Sequence, residues 1–350
     1  MLKKAAALIL VGASLATWLG CTTNSSTYLY AAIPASNQIV VYREDPNSGI
    51  LTVLVGSPIT AGNQVQSIII HPSKKFLYAA NQGENDVWQF NIATGGGLTE
   101  ATSTIVGTAP NLLAMDTAGS FLYVSNLGSN TISVFSIDAT SGALTPVAAP
   151  FSIGGTALNM KLSPAGDVLF VTIGGNPGFV ESFSNPSSGN PGATSIQAGV
   201  NPNGLAIDPS GTHLYTGNFG DNSISAFTIG ANGVLTPISG FPLGETFSAP
   251  LALFIDNSGK YLYVANQGSS NLAAYGIGSD GGLTLLTNSH FVTGTQPSFI
   301  TSDSTGKYLF VGNQSSPAIQ SFSLDGSTGT LTSVKSFPVG STPTSIALIP

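Results

Sequence analysis

Proton transfer and anion capture fall to lysine, arginine, histidine and carboxylate side chains. The 350-residue chain holds few of them: nine basic and sixteen acidic residues. Lys74, Lys75, Lys260 and Lys307 fall in short turns and Lys335 on an outer strand, where solvent satisfies an ammonium. Lys161 differs, because it interrupts the apolar run Leu158-Asn159-Met160-Lys161-Leu162. Sister segments hold Ile69, Ala114, Ala206, Phe254, Thr301 and Ala347 at that position. Asn159, two residues earlier, lies on the same side of a strand. A lysine turned inward requires an anionic partner, either a carboxylate of the fold or a ligand. Glu245, in a loop entering the sixth innermost strand, and Glu181, in a third-strand slot and nearer by blade, are the candidate partners.

Other potentially reactive groups have structural explanations. Asp116, Asp208, Asp256 and Asp303 each open a four-residue Asp-x-x-Gly segment, the preference of a type I turn. His71 and Ser163 fill the same slot elsewhere, so the position does not require charge. Asn81 and Asn85, Asn126 and Asn130, Asn218 and Asn222, and Asn266 and Asn271 form pairs in a recurring loop. Asparagine caps turns and tolerates left-handed backbone, and these loops are also expected to give a binding face an amide-rich rim. Spacings for metal ligation, a phosphate-binding glycine loop or a nucleophile elbow are missing, so neither metal nor cofactor is expected.

These residues are positioned by a repeat. An aromatic-Leu-aromatic start recurs as Tyr28-Leu29-Tyr30, Phe76-Leu77-Tyr78, Phe121-Leu122-Tyr123, Tyr261-Leu262-Tyr263 and Tyr308-Leu309-Phe310, with variants at Val168-Leu169-Phe170 and His213-Leu214-Tyr215. The units are about 47 residues long. Each contains runs of four to six β-branched, aliphatic or aromatic residues between Gly, Asn, Asp and Pro turns, which reads as four antiparallel strands. Seven such units predict an all-β, seven-bladed β-propeller. The first unit begins on its second strand, and Thr344–Ile349 supplies the missing one, so the C-terminal strand is expected to close the ring and remove a free edge. Innermost strands would line a channel whose mouth is ringed by Gln66, Asn111, Leu158, Asn203, Leu251, Ser298 and Thr344, five of them polar.

Residues 1–20 read as a lipoprotein-type signal: Lys3 and Lys4, then an uncharged apolar run too short to span a bilayer. Leu19-Gly20-Cys21 resembles a bacterial lipobox, although Trp18 departs from it, which makes Cys21 the expected lipidation site. Residues 21–27 would form the tether and residues 28–350 the propeller, lipid-anchored in the outer membrane or at the cell surface. The mature chain keeps seven basic residues against sixteen acids, which excludes a nucleic-acid footprint.

Phe121-Leu122-Tyr123-Val124-Ser125-Asn126 and Tyr261-Leu262-Tyr263-Val264-Ala265-Asn266 resemble the Tyr-Val-Thr-Asn propeller repeat. With turns such as Gly142-Ala143-Leu144-Thr145, the mature chain resembles the lactonase family, which includes bacterial 6-phosphogluconolactonases and fungal carboxymuconate-lactonising enzymes. The resemblance implies a seven-bladed fold and lactone hydrolysis. It also implies His-x-His and Gly-Pro-Arg-His segments around the channel, and this chain has neither. Arg43 is the only arginine and lies near the perimeter, and His71, His213 and His290 avoid the mouth positions. The residues therefore favour a cell-envelope binding module for a neutral polar ligand, such as a glycan, or for an envelope protein. Lactone hydrolysis stays open as the alternative, and a purely architectural role as a third. The candidate ligand-binding residues are Gln66, Asn111, Asn159, Lys161, Asn203, Ser298, Thr344, Glu181 and Glu245.

Overall fold

The computed structural model describes residues 27–244 and 248–349. Cys21, the leader and Glu245 lie outside these residues. The described chain forms seven antiparallel sheets, each led by a four-stranded path from the channel outward. The innermost strands of blades 2 to 7 are Val65–Ile70, Pro110–Met115, Ala157–Leu162, Pro202–Ile207, Pro250–Ile255 and Pro297–Ser302. Each touches the next around a ring, and Ser345–Leu348 completes it between blades 7 and 2.

That last strand belongs to blade 1. Leu29 pairs with Leu348, Tyr30 with Ala347, Ala31 with Ile346 and Ala32 with Ser345. Flanking bonds from Thr344 N to the Ala32 carbonyl at 3.1 Å and from Ile349 N to the Tyr28 carbonyl at 2.8 Å extend the pairing. The closure expected for Thr344–Ile349 is present.

The core is divided among seven seams, each apolar cluster drawing on two adjacent blades. The aromatic-Leu-aromatic motif explains this division, because alternation sends its central Leu to one face of the sheet and its aromatics to the other. Leu29, Leu77, Leu122, Leu169, Leu214, Leu262 and Leu309 are all fully buried. The second aromatic also reaches across a seam. Tyr30, Tyr78, Tyr215 and Tyr263 donate their hydroxyls to the carbonyls of Gly96, Gly142, Gly281 and Gly329 at 2.7–2.9 Å. Each acceptor opens a Gly-x-Leu-Thr turn in the following blade, so four seams share one polar tether. Burial raises these phenols above the usual tyrosine range and keeps them protonated as donors.

The Asp-x-x-Gly segments are structural turns. Gly119, Gly211, Gly259 and Gly306 have φ between 69° and 72°, and Asp116, Asp208, Asp256 and Asp303 each accept a backbone N–H from the strand that follows. His71 fills the same slot, with Nε2 2.9 Å from the Gly119 carbonyl and Nδ1 2.8 Å from Ser73 Oγ. The asparagine pairs divide their labour. Asn81, Asn126, Asn218 and Asn266 are fully buried, and Asn126 and Asn218 each donate to two side-chain hydroxyls of the third strand. Asn85, Asn130 and Asn222 adopt left-handed backbone. Asn85 and Asn222 accept the N–H of Ala109 and Ala249 at 2.7 Å, each in the next blade. The amides expected to enrich the rim are thus largely spent within and between blades.

Candidate functional site

The mouth residues owe their orientation to a repeated irregularity. In blades 2 to 7 the pairing of first and second strands slips by one residue. The residue skipped is Gln66, Asn111, Leu158, Asn203, Leu251 or Ser298, the mouth position in every case. A β-bulge leaves one residue unpaired and re-aims its side chain. Each of the six innermost strands therefore presents an unpaired residue at the mouth, and Thr344 takes that place in blade 1 just ahead of its strand.

Leu158, Asn203, Leu251, Ser298 and Thr344 of this ring line a cavity of about 350 Å³ at the upper face, the one bearing the loops between second and third strands. Asn159, Lys161, Asn203, Ser298, Gln314 and Thr344 supply its polar lining, and Leu112, Leu205, Leu253, Phe299 and Ile300 are among its apolar walls. A second cavity of about 360 Å³ opens at the opposite face, between the turns that Asp116, Ser163 and Asp208 open in blades 3 to 5. Lys161 lines both and so stands in the channel between the two mouths.

Lys161 pairs through its backbone with Phe170, as its sister residues pair with the second aromatics of their own motifs. Its side chain is exposed to the channel space, whose crowded walls nonetheless leave it partly desolvated. This desolvation lowers the amine below the ordinary lysine range. Among the described residues Lys161 makes neither an ion pair nor a hydrogen bond.

Glu181 does not fill that vacancy. It lies in the third strand of blade 4 and accepts the Gly154 N–H with both carboxylate oxygens, at 3.0 and 3.1 Å. Desolvation raises its pKa, opposed by that backbone bond. Gln320, at the same place in blade 7, accepts the Gly294 N–H at 3.0 Å, so this is a recurring backbone clamp outside the channel. Glu245 lies outside the described residues. Gln66 and Asn111 stand at the mouth but do not line the cavity. Gln66 donates to Gln82 at 3.4 Å, and Asn111 Nδ2 lies 3.5 Å from the Ala157 carbonyl.

The remaining amides differ in availability. Asn159 is spent on backbone, donating to the Asn203 carbonyl and accepting from Met160 N, both at 2.9 Å. Ser298 and Thr344 point their hydroxyls at the carbonyls of Gly312 and Val65. The Asn203 side chain makes no hydrogen bond among the described residues. Gln314, which the repeat alignment passed over, accepts from Gln267 Nε2 at 3.0 Å and keeps its own Nε2 unclaimed. Its signal was the Gln that follows the buried Asn in blades 2, 6 and 7. One unpaired amine and two unclaimed amide donors therefore share the upper cavity, suiting it to a small polar ligand with an electron-rich oxygen.

At the lower mouth, Asp208 is the other charged lining residue. Desolvation would raise its pKa, but hydrogen bonds from His213 N, Thr212 and Ser210 outweigh it and hold the carboxyl below its usual range. His213 Nδ1 lies 3.0 Å from Asp208 Oδ2, an arrangement local to the turn. Arg43 is exposed on the third strand of blade 1, away from either mouth.

The model of the family described as "Lactonase, 7-bladed beta-propeller" matches residues 54–170, 183–290 and 244–348. The chain belongs to the lactonase family. Curated relatives include the 6-phosphogluconolactonase of Cronobacter sakazakii, 36% identical over 107 residues, 30% of this chain and 31% of that protein. The 6-phosphogluconolactonase of Erwinia tasmaniensis is 27% identical over 230 residues, 63% of this chain and 67% of that protein. The chain spans about a third of the first two such relatives. Among solved structures, the periplasmic gluconolactonase PpgL of Pseudomonas aeruginosa superposes with a TM-score of 0.77 at 19% identity, over 93% of this chain and 99% of that one. A Bacteroides fragilis protein reaches 0.79 at 21% identity, over 94% and 99%. At these identities the superpositions speak for the lactonase fold alone.

Proposed function

We propose that this lactonase-family propeller hydrolyses a small polyhydroxylated lactone in its upper cavity. The observation that carries the reading is Lys161, an amine of lowered pKa in the channel with no partner among the described residues, which shares the upper cavity with the amides of Asn203 and Gln314. In its neutral form the amine takes a proton from water, and the hydroxide attacks the lactone carbonyl. The Asn203 and Gln314 amides donate to the resulting oxyanion. The ring C–O bond then breaks, and the leaving oxygen takes the proton back from the Lys161 ammonium. A hydroxy acid leaves. The names of the relatives, 6-phosphogluconolactonase and gluconolactonase, support a sugar lactone as the substrate class.

Acid release from glucono-1,5-lactone, titrated at constant pH, tests this. The protein should exceed the spontaneous rate, and Lys161→Met should lose at least ~100-fold, the smaller end of a general base's contribution. A wild-type rate equal to the spontaneous one would sink the reading.

A second reading keeps the binding module. It is favoured by the lining of the upper cavity, which among the described residues includes no histidine or carboxylate. The occupant would then be a neutral glycan or an envelope protein, retained on the wild-type protein but not on an Asn203→Ala/Gln314→Ala variant. Export and lipid attachment at Cys21 accompany either reading, and the mass of the mature N-terminal peptide tests them.

A further inference from the structure

The described ring contains two populations of amine. Lys74, Lys75, Lys260, Lys307 and Lys335 are exposed on turns or the outermost strand of blade 7. Lys161 alone stands in the channel, between cavities of about 350 and 360 Å³ that admit a small molecule from either face. Its neighbours along the strand, Met160 and Leu162, line the lower space with it, and Leu205 and Leu253 line the upper one. Among the described residues no other charged residue lines the upper cavity. In the lower one, the Asp208 carboxylate is committed to Ser210, Thr212 and His213.

We infer that Lys161 is a reactive lysine that captures the acyl group of a small cyclic ester entering the channel. Nζ attacks the carbonyl carbon, the ring C–O bond breaks, and the ring oxygen leaves with a proton lost by the nitrogen. The product is an amide that retains the whole lactone, with no co-reactant and no water consumed. This step rests on the lactone reading only in requiring that a lactone enter; here nitrogen attacks instead of water. Desolvation favours it independently, since it enlarges the fraction of amine carrying a free electron pair. The amide is stable toward the water that hydrolyses an ester, so each adduct ends the working life of that molecule. Activity should therefore decline with the number of turnovers, not merely with time.

Peptide mass mapping of the full chain at neutral pH tests the inference, with the five outer lysines as internal controls. One sample receives limiting acetic anhydride and another glucono-1,5-lactone, and acid release is titrated in parallel in the second. Lys161 should acquire acetyl several-fold faster than the mean outer lysine, and should acquire one intact lactone before any of them. Acetylation of Lys161 at or below the outer mean overturns the inference. Turnover without an adduct also overturns it and leaves the hydrolytic reading standing. An adduct without turnover supports the inference and removes the hydrolytic reading. Lys161→Arg, which keeps the charge, should lose the adduct while the outer lysines label as before; an unchanged adduct count overturns the assignment.

Discussion

The tethers across the blade seams allow a paired comparison at one structural position. In Tyr78→Phe a fully buried hydroxyl that donates to the Gly142 carbonyl at 2.7 Å disappears. The ring should keep its packing, because Phe170 and Phe310 occupy the same slot in blades 4 and 7 and are themselves fully buried. The cost is then the bond plus whatever desolvation penalty the orphaned carbonyl bears, about 1–2 kcal/mol, or roughly 2–4 °C in Tm. Tyr123 is the counterpart without a tether: its hydroxyl is buried and unpartnered, with Ser187 near but outside hydrogen-bonding geometry. Tyr123→Phe removes an unsatisfied polar atom, so it should be neutral or stabilising. Urea unfolding followed by tryptophan fluorescence measures both, the midpoint moving at constant slope if only stability changes. Equal losses in the two variants would refute the tether argument, since they would trace the cost to the ring and not to the bond.

Glu44 is buried, with Oε2 accepting from Thr27 and Oε1 unpartnered. Desolvation raises its pKa to about 7, with Asp303 and Asp45 adding to the rise and the Thr27 bond opposing it. The folded state holds this proton longer than the unfolded chain does, so stability should fall as pH rises from about 4.5 to about 7 and then level off. Glu44→Gln should remove that decline and gain about 2 kcal/mol at pH 8, as read from thermal melts across the window. Glu181→Gln should leave lactone turnover unchanged, because Gln320 performs the same clamp in blade 7; Glu181→Ala should cost about 1–2 kcal/mol by freeing Gly154 N. Gly142→Ala should destabilise more than Gly56→Ala in the same unfolding assay. Both glycines have positive φ, but only at Gly142 would a Cβ meet the Phe76 ring, at 2.8 Å, while at Gly56 nothing lies within 4 Å.

Seven blades, their strand order and their closure were legible because one hydrophobic motif marks every second strand and because a strand's period is short enough to read by eye. Lys161 was legible for the same reason: alternation placed it on the channel side whatever the details. The bulges were not, since a skipped residue changes pairing without changing composition; the mouth positions were located by counting from the turn, and their shared cause emerged only from register. Glu181 was ranked by blade, a distance along the ring, whereas its position in the third strand sets it outward from the channel and aims it at Gly154. The tyrosine tethers join residues 64 to 66 apart, a spacing longer than one repeat and shorter than two, which no search for self-similarity reveals.

Closure by the final strand also sets a schedule. Leu29 in the first described strand must wait for its partner Leu348 in the last, so the most sequence-distant strand pairing of the described ring needs both ends of the propeller in place. Loop closure over that span is entropically costly but grows only with the logarithm of length, and contacts of such separation slow folding. Until then the edge of Thr27–Ile33 offers unpaired backbone groups to any passing strand. A molecule lacking Ser345–Leu348 would carry six intact blades and one adhesive edge, a seed for association. Ser345–Leu348 thus works as a seal, the short stretch that separates a closed ring from an adhesive one.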